Sequence, residues 1–278
     1  CSKDFNFIIQ NIQGKLACWQ ANLLSLAGRR ILIQSSSSAI ANYVMQGALL
    51  PSRVCQEIDC ANRNFLWGST PEKRKIHLVN WNTVTLPIDQ GGLGIHAARP
   101  RNLGLLAKMD WKLSTGKNLL WAKVLRAKYI SSRITCPPWL SKGVCSQTWA
   151  ACKAAKPTLD SGLRKVISSG NYTSSWYDAW TPLGALRSAI FGPLNLQEDQ
   201  KLVAHFLDDN GNWSWDNLSF VLPKSLLDAI NVIPISTSFP SEDLIAWASS
   251  KDGCFSLNSA YLLAKGLNVL NPHTFSAS

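Results

Sequence analysis

Residues 51–68, "PSRVCQEIDCANRNFLWG", carry the strongest secondary-structure signal in the chain. Four apolar positions repeat with the spacing of one helix face, namely Val54, Ile58, Ala61 and Phe65. Pro51 is typical of a helix start and Gly68 of a helix end. The stretch therefore predicts an amphipathic helix with defined ends.

Helical spacing continues on both sides of this stretch. Residues 5–20 place apolar side chains on one helix face, and Ser25 is positioned to cap a helix that runs to about Gln46. The other predicted helices cover residues 99–114, 119–130 and 146–168, the last with a candidate interruption at Pro157. The segment "KIHLVNW" (75–81) predicts a short strand or an extended segment, and "DQGGLGI" (89–95) predicts a tight turn.

From about residue 170 the residue pattern changes to short aromatic segments among Gly, Asn, Asp and Pro. Residues 243–266 predict a strand, a "KDG" turn, a second strand and a helix capped by Asn258 or Ser259. The last eight residues are expected to be frayed. The expected fold class is mostly α, or α+β overall, with a helical part followed by a small α+β part.

Composition agrees with a packed protein. The chain has 278 residues, of which 46% are hydrophobic and 16% charged, so global disorder is not expected. The sequence contains no run of about 18 apolar residues, so no transmembrane helix is predicted. The eight cysteines form no C-x-x-C pair, which favours reduced thiols in an intracellular protein, nuclear or cytoplasmic and not secreted.

Charge is the first functional clue. Residues 1–170 hold 23 Lys and Arg against 7 Asp and Glu, a net charge of +16, whereas residues 171–278 hold 5 against 10, a net charge of −5. A strongly basic part favours a polyanionic partner, and nucleic acid is the leading candidate. Charge that only keeps the protein soluble is the alternative.

Eight basic residues are the candidate nucleic-acid ligands: Arg29, Arg30, Lys73, Arg74, Lys75, Arg101, Lys108 and Lys112. The first two fall in the first turn of a predicted helix, where the macrodipole disfavours cations and a bound phosphate would relieve the misplacement. The next three occupy a loop between two expected anchors, Phe65 with Trp67 before it and Ile76 to Trp81 after it. The last three share one helical face, and Lys123 and Arg126 extend the positive region. Side chains that only reach solvent are the alternative for every one of them.

No enzyme signature survives inspection. "FLDD" (206–209) has the spacing of a polymerase carboxylate pair, but it runs into a strong Asn-Gly turn signal and favours solvated turn residues. The four histidines lie at no ligand spacing from a cysteine, so neither a metal site nor a catalytic residue is predicted. Most of the twelve tryptophans sit in apolar patterns and are expected in cores.

An ordered series of short motifs runs along the chain: "KLACWQ", "LSLAGRRILIQS", "ANYVMQ", "FLWG", "KIHLVNW", "GGLGI", "NLGLLAKMDW", "LWAKVLRAKY", "SSGNYTSSWYDAW" and "DLIAWASSKDGCFSLNSAY". This succession resembles the region after the polymerase core in plant LINE-type (non-LTR) retrotransposon reverse transcriptases, which are labelled ribonuclease H or reverse-transcriptase zinc-binding proteins. The resemblance covers nearly the whole chain. In that family the catalytic acidic pair lies upstream of "LSLAGRR" and the zinc ligands follow "SAYLLA", so both fall outside this sequence.

The resemblance implies four regions: a thumb-like helical region (1–68), a basic helical linker (69–135), a helical connection (136–170) and a small α+β connector (171–278). It implies a non-catalytic piece of an RNA-directed DNA polymerase that contacts an RNA or DNA backbone without sequence specificity. No cofactor is expected in this chain, since Mg²⁺ would serve the parent polymerase and Zn²⁺ the segment beyond "SAYLLA". A protein-interaction module and a non-functional relic remain the alternatives.

Overall fold

The structure, a computed structural model, describes residues 2–17, 23–70, 73–116, 118–129, 145–208, 211–233, 235 and 243–267. The chain divides into two compact units, the first made of residues 1–160 and 257–268 and the second of residues 161–256 and 269–278. Helices dominate and strands are few and short, which confirms the mostly α, α+β fold class. The four sequence regions above stay a prediction.

The described residues form these α-helices: α1 (Asn6–Ala17), α2 (Leu26–Leu32), α3 (Ser38–Met45), α4 (Ser52–Trp67), α5 (Trp81–Val84), α6 (Ala98–Thr115), α7 (Leu120–Tyr129), α8 (Gln147–Gly162), α9 (Leu196–Asp199), α10 (Lys224–Asn231) and α11 (Leu257–Ala264). Short 3₁₀ turns cover Ser2–Phe5, Ile88–Gln90, Leu186–Ser188 and Val203–Phe206. One π turn, Ile33–Ser37, joins α2 to α3 without a break. The Ser25 side chain accepts the Gly28 N–H at 3.2 Å, as its predicted capping role requires.

The core of the first unit lies between α1, the α2–α3 helix, α4 and α6. Val54, Ile58 and Phe65 of the predicted α4 stripe are buried and Ala61 is half-buried, so the sequence identified this face correctly. The helix α11 also belongs to this unit and packs on α6. At their contact a Cβ on Gly104 would lie 3.3 Å from the backbone N of Tyr261, because the two helices approach closely there.

The glycines of "GGLGI" form a tight turn, as predicted. A Cβ on Gly92 would lie 2.0 Å from the carbonyl oxygen of Leu86, which no side chain could tolerate. The turn carries the backbone into Ile95, which is fully buried, and so it positions the start of α6.

Two short sheets and an aromatic core build the second unit. Strand β1 (Leu163–Val166) pairs antiparallel with β4 (Leu244–Trp247), and β2 (Ala179–Thr181) pairs with β3 (Gly184–Ala185). The core residues are Ile167, Trp176, Trp180, Leu186, Val203, Phe206, Leu222, Leu226 and Ile230. Trp176 and Trp180 thus take the core role that the sequence predicted for most tryptophans.

Four local predictions were wrong. Pro157 does not interrupt α8, although a proline inside a helix removes a hydrogen bond and crowds the carbonyl four residues back. The buried Ala155 and Leu159 hold both sides of it in the core. Residues 163–166 are a strand and not the end of that helix, since they find a distant partner in β4.

No second strand follows the "KDG" turn. The Trp247 N–H bonds to the Gly253 carbonyl at 2.8 Å and residues 254–256 carry no strand, so the chain enters α11 directly. That helix begins at Leu257, which places Asn258 and Ser259 inside its first turn and not at the cap. The predicted break at 135–143 and the last eight residues lie outside the described residues.

Candidate nucleic-acid interface

The end of α4 forms the framework of the candidate interface. Gly68 has φ +68°, the Ser69 N–H bonds to Asn64 O at 2.8 Å, and the Gly68 N–H bonds to Phe65 O at 3.1 Å. This is a Schellman closure, which needs a residue in the left-handed region. It explains the glycine at 68 and leaves the carbonyl of Leu66 facing outward.

The guanidinium of Arg29 binds the Leu66 carbonyl. Its Nη1 donates to Leu66 O at 3.0 Å, and a Cβ on Gly68 would meet the same Nη1 at 2.9 Å and Lys75 Nζ at 3.4 Å. Two candidate ligands, one from α2 and one from the basic loop, therefore converge on the negative end of the α4 dipole, where cations are stabilised. The partner of Arg29 is protein backbone, and a phosphate contact of this residue stays a prediction.

Arg30 faces a different part of the unit. It is half-buried, and its Nη2 lies 3.7 Å from the position that a Cβ on Gly94 would take. The neighbouring Gln34 donates to Gly94 O at 2.9 Å. Arg30 thus lies against the "GGLGI" turn.

The basic loop, Lys73–Lys75, has a fixed backbone and exposed side chains. The Thr70 N–H bonds to Lys73 O at 3.0 Å, and the Lys73 N–H bonds to Thr70 Oγ1 at 3.1 Å. The Lys75 N–H bonds to Ser69 Oγ at 3.1 Å. These bonds present three adjacent cations at the end of α4, as the sequence predicted for a tethered loop.

The expected anchor after the loop was wrong at its first residues. Ile76 and Leu78 are 83% and 78% exposed, and only Trp81 at the end of the segment is buried. Residues 75–80 form neither a helix nor a strand, there is a bend at Val79, and all six residues are exposed. The His77 ring stacks on Trp67, with ring centroids 6.4 Å apart, and His77 is exposed like its two aliphatic neighbours.

The predicted basic face of α6 is partly buried at its first residue and exposed to solvent at the other two. Arg101 is half-buried, its Nε donates to Asn42 Oδ1 at 3.3 Å, and burial lowers its pKa. Lys108 and Lys112 are exposed. The α3 helix packs along the first half of α6, which explains why residues seven apart on one face differ.

Arg126 repeats the role of Arg29 at another helix end. Its Nε donates to Leu113 O at 2.8 Å and its Nη2 to Gly116 O at 3.2 Å, so it caps the last carbonyls of α6. Lys123 on the same helix is exposed. The exposed members of the candidate set are therefore the basic loop and the Lys108–Lys112 pair.

Sequence reasoning missed the residues that hold this unit together. Tyr261 in α11 donates its hydroxyl to Thr85 O at 2.9 Å and accepts the Ala97 N–H at 3.1 Å. Asp59 accepts the Ala98 N–H at 3.0 Å, which caps α6, and burial raises the pKa of this carboxyl to about 6. The tyrosine of "NSAY" was visible in the motif series, but its partners were not.

Of the two "FLDD" carboxylates, the structure describes Asp208, which belongs to the second unit. Asp208 Oδ1 accepts the Asn212 N–H at 2.7 Å and Asp208 O accepts the Gly211 N–H at 2.9 Å, which is the turn expected there. Asp209 lies outside the described residues. Within the part of the chain that the structure describes, no three His, Cys, Asp or Glu side chains form a group able to hold a metal ion, and no helix there is long and apolar enough to cross a membrane.

Two plant proteins are similar to the chain. An Arabidopsis thaliana protein named "Putative ribonuclease H protein" is 30% identical over 274 residues, which cover 98% of this chain and 44% of that protein. An Arabidopsis thaliana "Uncharacterized mitochondrial protein" is 30% identical over 155 residues, which cover 53% of this chain and 99% of that protein. The chain thus spans less than half the length of the first relative. No protein-family model and no solved structure matches it.

Proposed function

The chain belongs to the retrotransposon-related family of these two Arabidopsis proteins, and on that premise we propose that it binds the backbone of an RNA or DNA duplex without reading its sequence. It does so as a non-catalytic part of a retrotransposon RNA-directed DNA polymerase. The contacts come mainly from Lys73, Arg74 and Lys75, with Lys108 and Lys112 as a second set. We assign no catalytic step to the described residues.

The observation that carries the proposal is the exposed basic loop. Three adjacent cations stand on a backbone that Thr70 and Ser69 fix, in a unit with 22 Lys and Arg against 7 Asp and Glu. Phosphate contacts supply affinity and position a protein on a duplex, and they carry no sequence information. A loop of lysines and an arginine suits this task.

The side chains around the loop favour backbone contact over base stacking. Binding of unpaired bases uses exposed aromatic platforms. Among the described residues of this segment, Trp81 is buried, Trp67 is half-buried and stacked with the exposed His77 ring, and the exposed apolar residues are aliphatic. No exposed tryptophan, tyrosine or phenylalanine stands in this described segment, which supports binding through the backbone.

Salt dependence tests the proposal. Replacing Lys73, Arg74 and Lys75 together by Ala should reduce the slope of log affinity against log salt by roughly 2 to 3 for a primer–template duplex, if all three contact phosphate. The matched control is Arg53→Ala with Lys224→Ala and Lys251→Ala, which removes the same charge from exposed positions outside the basic loop. An unchanged slope in a folded loop variant, or an equal change in the control, would overturn the proposal.

Arg29 belongs in the same titration. Because its guanidinium caps α4, Arg29→Gln should lower thermal stability and leave the salt slope unchanged. A slope that falls by about one unit would instead place Arg29 among the phosphate ligands, as the sequence predicted.

A protein-interaction module is the second candidate. The α7 helix leaves Leu120 and Val124 exposed, at 77% and 56%, beside Lys123. Such a cationic amphipathic face suits an acidic, partly apolar protein surface. A folded chain that binds no duplex at low salt would favour this candidate.

A further inference from the structure

The residues before the basic loop match the acceptor pattern of a class of protein kinases. Thr70 is followed by Pro71, and Lys73 stands three residues after the threonine. Proline-directed Ser/Thr kinases require proline directly after the acceptor, and the cyclin-dependent group among them favours Lys or Arg at the third position after it. The tetrapeptide Thr-Pro-Glu-Lys meets both requirements.

Thr70 is accessible in the folded protein. It is exposed and lies beyond the Schellman closure of α4, in neither a helix nor a strand. A kinase binds its acceptor segment in an extended form, so the two hydrogen bonds between Thr70 and Lys73 have to open, but no helix or strand has to unfold.

The chain holds one other Thr-Pro pair, Thr181-Pro182, and no Ser-Pro pair. Thr181 is only 1% exposed, and its hydroxyl donates to Gly184 O at 2.7 Å. Gly184 also occupies the position where the basic residue would be needed. Thr181 is therefore an internal negative control for proline-directed modification.

A phosphate on Thr70 would meet the cations of the basic loop. Its Oγ1 already accepts the Lys73 N–H at 3.1 Å, so phosphate oxygens on that atom would lie beside this donor and at the base of Lys73, Arg74 and Lys75. A phosphothreonine carries a charge of about −1.5 to −2 at pH 7 and accepts strong charge-assisted hydrogen bonds. Most of the charge of the loop would be cancelled from within the chain.

We propose that Thr70 is the acceptor of a proline-directed protein kinase and that its phosphate pairs with the basic loop and releases bound nucleic acid. In the modification step Oγ1 attacks the γ-phosphorus of Mg²⁺–ATP. The Oγ1–P bond forms, the bond from the γ-phosphorus to the β,γ-bridging oxygen breaks, ADP leaves, and the hydroxyl proton passes to a base of the kinase. The modification stands by itself, whereas the release of nucleic acid rests on the function proposed above.

The size of the effect depends on how many cations the phosphate neutralises. If it neutralises two of three cations, the salt slope should fall by about two units. At about 0.1 M salt this corresponds to a loss of affinity of up to about 60-fold.

The first experiment locates the phosphate. The folded full chain is incubated with a purified cyclin-dependent kinase, Mg²⁺ and ATP, and the products are mapped by mass spectrometry beside Thr70→Val and Pro71→Ala. The expected result is one phosphate at Thr70, none at Thr181 and none on either variant. A folded chain that stays unmodified at Thr70, or Pro71→Ala modified at the wild-type rate, overturns the assignment.

The second experiment detects the pairing without nucleic acid. A ³¹P NMR titration compares the phosphorylated chain with the same chain carrying Arg74→Ala and Lys75→Ala, which keeps Lys73 for the kinase. Nearby cations should give the phosphate a lower second pKa in the first than in the second. Equal values overturn the pairing.

The third experiment measures duplex binding of the phosphorylated and unmodified chains as a function of salt. A slope reduced by about two supports release, and an unchanged affinity where the unmodified chain binds through the loop overturns it. If the unmodified chain binds no duplex, release fails together with the proposed function. The first two experiments still decide whether Thr70 is modified and paired.

Discussion

Both units hold loop backbone in place with side chains, and their main examples differ in chemistry: a buried amide, Asn102, in the first unit and a carboxylate, Asp243, in the second. In the first unit, neutral and cationic side chains reach the backbone: Asn102, Tyr261 and the arginines Arg29, Arg99 and Arg126. In the second unit, carboxylates collect backbone N–H groups, chiefly Asp243 and Glu198. The division is not complete, because Asp59 accepts the Ala98 N–H in the first unit and Arg187 donates to Ile190 O in the second.

In the first unit the clearest example of a side chain that holds backbone in place is Asn102. It is completely buried in α6, and its Nδ2 donates to Met45 O and Ala48 O, both at 2.9 Å. Its Oδ1 accepts the Leu50 N–H at 2.8 Å. One neutral amide therefore satisfies three groups of the turn between α3 and α4.

Asp243 plays the corresponding part in the second unit. Its Oδ1 accepts the N–H groups of Ser168, Ser169 and Gly170 at 2.9, 3.1 and 2.9 Å. Its Oδ2 accepts the Tyr172 N–H at 3.2 Å and the Thr173 hydroxyl at 2.7 Å. Desolvation raises the pKa of this carboxyl, but these donors outweigh it and hold the pKa below its usual value.

The comparison changes how the charge of the sequence should be interpreted. The basic excess of the first unit includes arginines bound to helix-end carbonyls, and the acidic excess of the second includes carboxylates bound to loop N–H groups. Those charges serve the fold. The basic loop and the Lys108–Lys112 pair remain as the exposed charges around which a partner is proposed.

Removing the Asn102 side chain should have the largest effect on stability. Asn102→Ala removes the partner of two buried backbone groups and one partly buried group, and we expect a loss of about 3 kcal/mol in the free energy of unfolding. Urea unfolding followed by far-UV circular dichroism measures it. Asn82→Ala, at an exposed asparagine of the same unit, should change stability by less than about 0.5 kcal/mol. Similar losses of stability for both variants would contradict the role of the Asn102 hydrogen bonds.

Asp243→Asn should have the next largest effect. The amide replaces an oxygen that accepts hydrogen bonds by a group that donates them, while the partial exposure of the site reduces the loss, so we expect roughly 2 kcal/mol. Hydrogen exchange should speed up at the amides of Ser168, Ser169 and Gly170. Asp252→Asn is the control, since this exposed carboxylate accepts the Cys254 N–H and has its other described partners within the same short turn. Unchanged exchange in Asp243→Asn would contradict the role of the carboxylate.

Local signals predicted the helices well. The α4 stripe, Pro51 and Gly68 defined that helix, and the caps and spacings placed α1, α6 and α7 within a few residues. These elements depend on neighbours three or four residues apart, which the sequence displays directly. The exposure of the basic loop followed from the same signals.

Long-range partners could not be predicted. Strand β1 depends on β4, about eighty residues later, and Asn102 binds a turn more than fifty residues before it. Arg29 and Arg101 looked equivalent to Lys73 as free cations, yet Leu66 O and Asn42 bind them. Spacing reveals which face of a helix a cation shares, but not which neighbouring element covers that face.

The smallest predicted effect sharpens the contrast between acids in the two units. Asp110 in α6 is only 7% exposed, its Oδ2 has no hydrogen-bond partner, and burial raises its pKa to about 6. Lys156 lowers this pKa and Asp160 raises it, but both effects are smaller than the effect of burial. The folded state therefore holds a proton on Asp110 more tightly than the unfolded state does, which is opposite to Asp243.

The pH dependence follows from the sign of each shift. For Asp110 the folded state binds the proton more tightly than the unfolded state, so stability falls as pH rises from about 4 to about 6 and stays low above that. The contribution of Asp243 is present above about pH 4 and is lost as pH falls below it. Asp110→Asn should therefore be about 1 kcal/mol more stable than the wild type at pH 8 and show no gain at pH 4, measured by urea unfolding at both values. A gain that does not depend on pH would show that shape, and not the buried charge, limits stability at this position.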